Sequence, residues 1–342
     1  MNKVFLVAGG SGGHLFPALS VLDQLNDYET LILTDQRTEQ YLKKLGVKHR
    51  KIITAKIQIN LFLIFNLIKL FFSILDNIAI ILKRKPDIII GFGGYSSIPT
   101  LVAAKILKKK IIIHEQNAVM GKTNRILSKI ADIVAITFPK TKFAPNNAIY
   151  TGIPLRRKKK IANFKTKKKR IFIVGGSQGA KVFSTIIPES LKKLNKSLLK
   201  KLIVIQQARD DDQMEIKKKY QILKVEHKIE KFFYNIYEEY YNADLIICRC
   251  GASTLAEIGT FSKPCLLFPL PTSMNNHQYY NAKEFEKSNR CFIFDENNLS
   301  AELLSKKIEK LIFLEKQKKK LYNSQKNIQK FSITDLMKRV AN

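Results

Sequence analysis

Residues that suit nucleotide binding cluster between Leu245 and Asn281. The apolar run Leu245–Cys248 predicts a buried strand, and after Gly251 the pattern changes to that of a helix. Ligands of parallel sheets bind beyond the carboxyl ends of the strands, where helix N-termini offer N–H groups. That edge carries the polar side chains of Arg249, Ser253, Thr254, Glu257, His277 and Gln278. Because backbone amides suit a diphosphate and a carboxylate suits ribose hydroxyls, the segment indicates a nucleotide site.

Thr254 and Glu257 also fit a structural pattern that needs no ligand. Their spacing is that of a capping box, in which a Thr hydroxyl and a Glu carboxylate accept hydrogen bonds from the first N–H groups of a helix. Both side chains would then stabilise the helix end, and neither would contact a nucleotide. On this segment alone the sequence leaves the two interpretations open.

A second candidate for chemistry is His14, which ends the glycine-rich loop Gly9–His14. The loop follows a strand predicted at Val4–Ala8 and precedes a helix predicted from Phe16 to Leu25, an arrangement in which glycines let the backbone approach a phosphate. The G-x-G-x-x-G spacing of nicotinamide-dependent oxidoreductases is not met, which disfavours that class. Imidazole titrates near neutrality, so His14 is a candidate general base, with a structural histidine as the alternative.

Two further loops carry glycine or polar residues at the ends of predicted strands. Gly91–Tyr95 follows the strand Asp87–Ile90 and precedes a helix predicted to start at Pro99. His114–Asn117 follows the strand Lys110–Ile113 and places four consecutive hydrogen-bonding side chains there. Such a run is unusual for packing alone, so we expect it to line a cleft.

These loops must be positioned by more than one domain, because 342 residues exceed the usual limit of one hydrophobic core. The strand–glycine-loop–helix pattern starts again at Ile171–Val174 with the loop Gly175–Ala180, and the lysine-dense segment Arg157–Arg170 before it is the predicted linker. The sequence therefore predicts an α/β protein of two Rossmann-like domains facing each other across a cleft, residues 1–157 and 158–342. The last helix is expected either in the second domain or packed back on the first. Further strands are predicted at Leu31–Thr34, Ile52–Thr54, Ile133–Thr137, Ala148–Tyr150, Leu202–Gln206, Lys228–Phe233, Cys265–Leu270 and Cys291–Phe294, with helices beyond Ser300.

The chain is strongly basic, with a net charge of +32. Lysine runs occur at 108–110, 158–160, 167–169, 217–219 and 318–320. Such charge favours a polyanion, either nucleic acid or an anionic membrane surface, and a lysine-rich background without function is the alternative. A nucleic-acid-binding protein is disfavoured because the basic residues are spread along the chain and no nucleic-acid module is recognisable.

The four cysteines, Cys248, Cys250, Cys265 and Cys291, lie in or beside apolar segments. Without an N-terminal signal segment, we expect them to be reduced, buried thiols of a cytoplasmic protein. Cys248 and Cys250 are not accompanied by a second Cys or His pair with ligand spacing, which disfavours a metal site.

The most apolar segment of the chain runs from Ile57 to Leu82. Its length could span a bilayer, but polar residues interrupt it and central charges are costly there. These residues fall on a single helical stripe and are Asn66, Lys69, Ser73, Asp76 and Asn77. Excess apolar surface followed by the basic cluster Lys83–Lys85 indicates docking at a membrane interface, and two helices buried in the core are the alternative.

Seven motifs follow one another along nearly the whole chain: GGSGGH at 9–14, GFGGYSSIP at 91–99, HEQN at 114–117, GIPLR at 152–156, GGSQGA at 175–180, CRCGASTLAE at 248–257 and HQYYNA at 277–282. In this order and spacing they resemble the MurG family, the UDP-N-acetylglucosamine–N-acetylmuramyl-(pentapeptide) pyrophosphoryl-undecaprenol N-acetylglucosamine transferases, which have the GT-B glycosyltransferase fold. The resemblance implies an inverting enzyme that moves N-acetylglucosamine from UDP-N-acetylglucosamine (UDP-GlcNAc) to the C4 hydroxyl of the muramyl sugar of lipid I. The product would be lipid II, in peptidoglycan synthesis. Another GT-B transferase with a lipid-linked acceptor, such as a glycolipid glucosyltransferase, is the related alternative.

The resemblance also implies roles for individual residues. His14 and Glu115 match the family's candidates for acid–base catalysis. Glu257 is expected on the ribose hydroxyls, and Phe233 stands where the backbone reads the uracil. The acceptor loop is Gly93, Gly94 and Tyr95, and the other donor-binding positions are Ser11, Gly12, Gly13, Asn117, Arg156, Ser177, Ala252, Ser253, Thr254, Leu255, Ala256 and Gln278.

Inversion requires a base for the acceptor proton and groups that hold the departing diphosphate. His14 or Glu115 would supply the base, and glycine-loop amides, a helix N-terminus and Arg156 would stabilise the leaving charge. No acidic pair is placed to hold a divalent ion, so we expect metal-independent catalysis without a cofactor. The expected partners are UDP-GlcNAc, undecaprenyl-linked lipid I, an anionic membrane surface and proteins of cell-wall synthesis or division. The expected location is the cytoplasmic face of the inner membrane, as a peripheral protein, with no role for nucleic acid.

Overall fold

The computed structural model describes residues 3–10, 12–54, 63–155, 161–164, 166–176, 179–313 and 331–341. Contacts between residues divide the chain into two units, Met1–Arg157 with Ile328–Asn342, and Lys158–Asn327. Each unit is an α/β domain built on a parallel sheet.

The described part of the first unit contains seven strands: β1 (Lys3–Val7), β2 (Glu29–Thr34), β3 (His49–Lys51), β4 (Ile88–Gly91), β5 (Lys110–Glu115), β6 (Ile133–Ile136) and β7 (Ile149–Tyr150). They form one parallel sheet in the order β3-β2-β1-β4-β5-β6-β7. The helices described there are α1 (Gly12–Leu22), α2 (Gln36–Lys44), α3 (Leu63–Arg84), α4 (Ser97–Ile106), α5 (Lys122–Leu127) and, from the C-terminal tail, α13 (Ile333–Ala341).

The described part of the second unit contains six strands: β8 (Lys169–Val174), β9 (Leu202–Gln207), β10 (Glu226–Glu230), β11 (Leu245–Arg249), β12 (Cys265–Phe268) and β13 (Cys291–Ile293). They form a parallel sheet in the order β10-β9-β8-β11-β12-β13. The helices described there are α6 (Lys181–Lys192), α7 (Lys196–Leu199), α8 (Asp210–Ile222), α9 (Ile236–Asn242), α10 (Ala252–Gly259), α11 (His277–Glu286) and α12 (Ala301–Ile312).

Both sheets are covered on both faces. In β1, Val4 and Leu6 pack into one core cluster, whereas Phe5 and Val7 pack into another. The side chains of β8 alternate between two clusters in the same way. A strand buried on both faces needs an uninterrupted apolar run, which explains why such runs mark these strands in the sequence.

The last helix packs within the first unit. Ile333, Leu336 and Met337 of α13 are buried in the core cluster that contains Val4 and Leu6 of β1. The chain therefore returns to its first sheet after completing the second, and α13 covers part of one face of that sheet.

The strand order reverses once in each sheet, between β1 and β4 in the first unit and between β8 and β11 in the second. At such a reversal the neighbouring loops diverge and leave a crevice beyond the carboxyl ends of the strands, where ligands of α/β folds bind. The loops at the two reversals begin at Ala8, Phe92, Gly175 and Cys250. The glycine-rich segments of the sequence thus lie where each sheet is most suited to hold a ligand.

Two helices begin earlier than predicted. α1 begins at Gly12 and not at Phe16, so His14 lies in the first helical turn and not in the loop. α4 begins at Ser97, ahead of Pro99. Glycine disfavours a helix by about 1 kcal/mol relative to alanine, and for this reason the sequence predicted Gly12 and Gly13 in the loop. In α1, packing against the sheet outweighs that preference.

Several strands are shorter or longer than predicted, and two of them differ most from their predicted bounds. β3 occupies His49–Lys51, and the predicted strand Ile52–Thr54 follows it as irregular chain. β10 ends at Glu230, so Phe233 lies beyond the strand. β3 and β10 are edge strands and contain few apolar residues. The predictions followed the apolar residues next to each strand and were therefore displaced toward the C-terminus.

The predicted linker Arg157–Arg170 is largely part of the second unit where it is described. Lys169 and Arg170 already belong to β8. Before them, the backbone N–H of Ala162 donates to the Glu238 carboxylate at 3.1 Å, which docks this segment along α9. Two of its described lysines, Lys168 and Lys169, form ion pairs with Glu226 and Asp244.

α3 covers most of the predicted apolar segment, whose first part, 57–62, lies outside the described residues. The helix turns part of its polar stripe inward, because Ser73 and Asn77 are fully buried. The Ser73 hydroxyl donates to the Ile53 carbonyl, and Asn77 Oδ1 accepts a hydrogen bond of 2.7 Å from Thr100 Oγ1. These contacts fix which face of α3 meets the domain.

The opposite side of α3 is apolar and exposed. Its exposed side chains are those of Ile64, Phe65, Leu67, Ile68, Phe71, Phe72, Leu75 and Leu82, and we call this set the α3 apolar face. Ile80 and Ile81, near the helix end, are buried in the core. The alternative of helices buried in the core is therefore wrong for most of α3. By length and composition α3 could cross a membrane, and core helices pass the same test.

Candidate active site

The first unit brings His14 against the glycine turn that follows β4. A Cβ added at Gly94 would lie 3.3 Å from His14 Cδ2 and 3.5 Å from His14 Nε2, and one added at Gly93 would lie 3.3 Å from His14 Cε1. Gly93 and Gly94 have φ values of 90° and 77°, which glycine adopts at little cost. The imidazole edge that contains Nε2 therefore faces this turn, and a side chain on either glycine would crowd it.

Gln116 holds His14 from the other edge of the ring. His14 Nδ1 lies 3.0 Å from Gln116 Oε1, and because a carbonyl oxygen only accepts, Nδ1 carries the proton. The neutral ring then has its lone pair on Nε2. This is the tautomer that can take a proton from a group bound at the glycine turn.

Glu115, the other candidate base, is already fully hydrogen bonded. Its Oε1 accepts from the Asn117 backbone N–H at 2.9 Å and from Asn117 Nδ2 at 3.2 Å. Its Oε2 accepts from the Gly121 N–H at 3.0 Å and from Asn124 Nδ2 at 2.8 Å. With 2% of its surface exposed, Glu115 is placed to shape the loop that leads into α5.

Asn124 is a residue that sequence reasoning missed. It is 2% exposed, and its Nδ2 also lies 3.3 Å from the His114 carbonyl oxygen, while a Cβ added at Gly93 would lie 3.1 Å from that nitrogen. Asn124 thus joins the end of β5 to the glycine turn. No local pattern marks this role, because its partners lie on other elements.

In the second unit, α10 begins at the reversal of the sheet with Gly251 as its N-cap and no side-chain cap. Thr254 and Glu257 are therefore inside the helix, so the capping-box interpretation is wrong. The N–H groups of the first helical turn have no acceptor within the helix. Ser253 Oγ is buried in this turn without a partner among the described residues, and Glu257 is 6% exposed. A hydroxyl and several N–H donors are thus gathered where an anion would bind.

Gln278 ties together the two loops beside α10. Its Oε1 accepts from the Cys250 N–H at 3.2 Å and from the Leu270 N–H at 3.0 Å. Asn281, one helical turn further along α11, is fully buried and donates from Nδ2 to the Cys250 carbonyl at 3.1 Å. Gln278 was predicted from the sequence, whereas Asn281 was not.

Other polar residues near this edge have structural contacts. The Arg249 guanidinium is ion paired with Glu296 and donates to the Phe268 carbonyl at 3.3 Å. His277 Nδ1 lies 2.9 Å from the Met274 carbonyl oxygen. The Phe233 side chain packs edge-on against Phe172 with ring centroids 5.2 Å apart, so it belongs to the core of the second unit.

The cysteines near this edge are buried thiols. Burial raises the pKa of Cys248 and Cys250 well above the ordinary value, so both stay protonated at neutral pH. No three His, Cys, Asp or Glu side chains are grouped to hold a metal ion in the part of the chain that the structure describes.

The remaining predicted positions fall into three groups. Gly12, Gly13, Tyr95 and Asn117 lie at the carboxyl edge of the first sheet, and Ala252, Leu255 and Ala256 lie on α10, with Leu255 buried in the core. Ser11, Arg156 and Ser177 lie outside the described residues.

Two α/β domains with glycine loops and helix N-termini at the reversals of their sheets define the architecture of the two-domain, GT-B-type glycosyltransferases. Family models agree: the glycosyltransferase family 28 N-terminal domain matches residues 4–136, and the glycosyltransferase family 28 C-terminal domain matches residues 170–340. The chain belongs to glycosyltransferase family 28, in its MurG group.

Individual relatives match over nearly the whole length. The chain is 38% identical over 344 residues to the UDP-N-acetylglucosamine–N-acetylmuramyl-(pentapeptide) pyrophosphoryl-undecaprenol N-acetylglucosamine transferase of Rickettsia bellii, covering 96% of this chain and 95% of that protein. It is 40% identical over 326 residues to the transferase of the same name from Rickettsia canadensis, covering 91% of each. The crystal structure of Acinetobacter baumannii MurG matches with a TM-score of 0.76 and 29% identity, over 99% of this chain and 98% of that one.

Proposed function

We propose that this chain is the inverting transferase that moves N-acetylglucosamine from UDP-GlcNAc to the C4 hydroxyl of the muramyl sugar of lipid I, giving lipid II. The observation that carries the chemistry is the His14 ring, whose Nδ1 is held 3.0 Å from Gln116 Oε1 while the edge that contains Nε2 faces the Gly93–Gly94 turn. The names of the relatives, which match across both domains, support the identity of donor and acceptor. The enzyme would serve peptidoglycan synthesis, and through it cell shape and division.

His14 is the base in this proposal. It has a nitrogen lone pair directed at the turn that was assigned to the acceptor, whereas each Glu115 oxygen already accepts from two donors. Drawing Glu115 into proton transfer would break contacts that hold the loop before α5. Glu115 is therefore assigned to positioning, and a proton acceptor at His14 supplies roughly 10²–10⁴-fold of rate.

The second unit binds the donor in this proposal. The Ser253 hydroxyl, which has no hydrogen-bond partner among the described residues, and the first N–H groups of α10 suit the diphosphate. The Glu257 carboxylate suits the ribose diol. The backbone of Phe233 reads the uracil. Ser11, Gly12, Gly13, Asn117, Arg156, Ser177 and Gln278 complete the set by resemblance to the family.

The α3 apolar face docks the enzyme on the membrane that holds its lipid acceptor. Ser73 and Asn77 bind the domain through the inward side of the helix, so its exposed phenylalanine and leucine side chains are directed to the outside. Lys83, Arg84 and Lys85 follow directly and are exposed, which suits an anionic surface. Because α3 is anchored by Ile80 and Ile81 in the core, the proposed association is peripheral, on the cytoplasmic leaflet.

The test is transfer of labelled N-acetylglucosamine from UDP-GlcNAc to a lipid I analogue by the purified full-length chain. We expect a disaccharide product, with UDP-glucose a poor donor in competition. Preference for UDP-glucose, or transfer only to a glycolipid acceptor, would instead identify a glucosyltransferase of the same fold.

A further inference from the structure

We propose that His114 and Gln116 are positioning residues that lock His14 in the tautomer protonated on Nδ1, so that its Nε2 is always available to the acceptor hydroxyl. The inference rests on the proposed function for its catalytic meaning, but the tautomer itself is a property of the unliganded protein. The three side chains form one hydrogen-bonded chain that starts at the Gly152 carbonyl and ends at His14.

The orientation of the Gln116 amide is fixed by the backbone. Gln116 Nε2 lies 2.9 Å from the His114 carbonyl oxygen, and that oxygen can only accept. The nitrogen must therefore be on this side, which directs Oε1 toward His14. An amide flip would place two oxygens against each other, so the assignment does not depend on the histidines.

His114 reinforces the same orientation. Its Nε2 lies 2.9 Å from the Gly152 carbonyl oxygen and must donate, which leaves Nδ1 to accept from Gln116 Nε2 at 3.1 Å. His114 is fully buried, and burial lowers its pKa, so the ring stays neutral with a single proton. A second proton on His114 would remove the acceptor that Gln116 donates to.

The consequence for transfer is one of orientation. The acceptor oxygen bonds to the anomeric carbon as the bond from that carbon to the UDP oxygen breaks, and UDP leaves with the electron pair. The acceptor proton passes to His14 Nε2, giving an imidazolium whose Nδ1–H still donates to Gln116. No proton passes through the amide, so the chain of bonds holds the base and does not conduct protons.

The experiment is long-range ¹H–¹⁵N correlation NMR on the full-length protein labelled at its five histidines. The His14→Ala and His114→Gln variants assign the two spin systems. We expect His14 in the Nδ1–H form and His114 in the Nε2–H form, without substrate. An Nε2–H form of His14 in the parent protein would overturn the proposal.

Two substitutions then separate positioning from packing. Gln116→Leu removes the acceptor and should move His14 toward the Nε2–H form, with kcat reduced by up to about 10²-fold and the KM for UDP-GlcNAc unchanged. Gln116→Glu reproduces both contacts when its carboxyl is protonated, because its O–H then donates to the His114 carbonyl and its other oxygen accepts from His14; this variant should keep the Nδ1–H form of His14. The matched control is Gln206→Leu, which removes a fully buried glutamine of the second unit that accepts from Tyr220 and should leave the His14 signals unchanged.

The outcomes are distinct for the two proposals. An unchanged His14 tautomer in Gln116→Leu would refute the positioning role even if the enzyme transfers N-acetylglucosamine. If the tautomers are as expected but the protein does not transfer N-acetylglucosamine to lipid I, the proposed function is refuted and the positioning role of His114 and Gln116 is supported.

Discussion

The membrane proposal makes the most quantitative prediction, for a double variant of the α3 apolar face, Phe65→Ser with Phe72→Ser. These side chains are 66% and 58% exposed, and they are separated by two helical turns on one side of the helix. Full burial of a phenylalanine stabilises by about 1.5–3 kcal/mol, so burying the exposed part in lipid contributes about 1–2 kcal/mol for each. Losing both should weaken partition into vesicles by about 2–4 kcal/mol, or roughly 30- to 1,000-fold.

The assay is co-sedimentation with vesicles of phosphatidylglycerol and phosphatidylcholine at low and high salt. Lys83, Arg84 and Lys85 each add about 1 kcal/mol at an anionic surface, and salt screens this contribution. The parent protein should therefore bind less, but still bind, at high salt, whereas the double variant should be released. UDP affinity measured by calorimetry should be the same for both proteins, since none of the proposed donor-binding positions lies on α3.

A matched control lies on α8 in the second unit. Met214 and Ile222 are 71% and 79% exposed, so Met214→Ser with Ile222→Ser removes similar apolar surface elsewhere. This control should bind vesicles like the parent. Equal binding by the Phe65→Ser/Phe72→Ser variant, or equal release of the control, would refute the docking of α3. Complete loss of parent binding at high salt would leave charge as the only cause.

Three further predictions concern the sites. Glu257→Gln should weaken UDP-GlcNAc binding by about 1.5–3 kcal/mol in calorimetry, roughly tenfold to 150-fold, and an unchanged affinity would contradict its contact with the ribose. His14→Ala should lower kcat by about 10²–10⁴-fold at constant donor affinity, whereas Glu115→Gln should mainly lower the melting temperature; the reverse pattern would make Glu115 the base. Burial lowers the pKa of His114 from its ordinary value of 6.5, so below about that pH the unfolded chain binds a proton at this histidine that the folded protein does not bind. The free energy of unfolding should therefore decrease as the pH falls below 6.5, by at most about 1.4 kcal/mol per pH unit from this group, and should not depend on His114 at higher pH. His114→Gln should flatten this part of the urea-unfolding profile between neutral and mildly acidic pH, and an identical slope would contradict the cause.

Much of the fold could be predicted because its signals are local. An apolar run followed by glycines and then a helical pattern marks both the start of the chain and the start of the second unit. Gly10 and Gly176 occupy corresponding positions in the two loops and have φ values of 84° and 81°, so the two similar sequences adopt similar backbone conformations there. The end of the apolar strand β11 also predicted the position of α10 correctly, but the sequence did not decide whether Thr254 caps that helix.

The start of α10 shows where a local pattern fails. Thr254 and Glu257 match the spacing of a capping box, but a helix begins where the preceding strand ends, and β11 ends at Arg249. The cap is therefore Gly251, and the two polar side chains lie further along the helix. Only the three-dimensional position of the strand distinguishes these cases.

The contacts of Gln116 could not be predicted for a different reason. His14 and Gln116 are separated by 102 positions in the sequence, and their contact exists only because β1 and β4 are neighbours with β5 next to them. The HEQN segment indicated a polar site, as four consecutive hydrogen-bonding side chains should. It did not indicate that the Glu115 carboxylate is hydrogen bonded within the loop that follows β5, or that Gln116 contacts His14.

The polar stripe of α3 was found in the sequence, but part of it faces the opposite way from the usual amphipathic helix. A helix on a sheet normally buries its apolar side, yet here Ser73 and Asn77 meet the domain and the apolar face does not. Rotating α3 to hide that face would carry Asn77 out to solvent and leave the buried Thr100 hydroxyl without its partner, at a cost of about 1–3 kcal/mol for that unsatisfied group. The exposed apolar surface is thus held outward by specific buried hydrogen bonds. A surface that is costly to expose in water and is nevertheless fixed in that orientation is best explained by a second apolar phase that covers it.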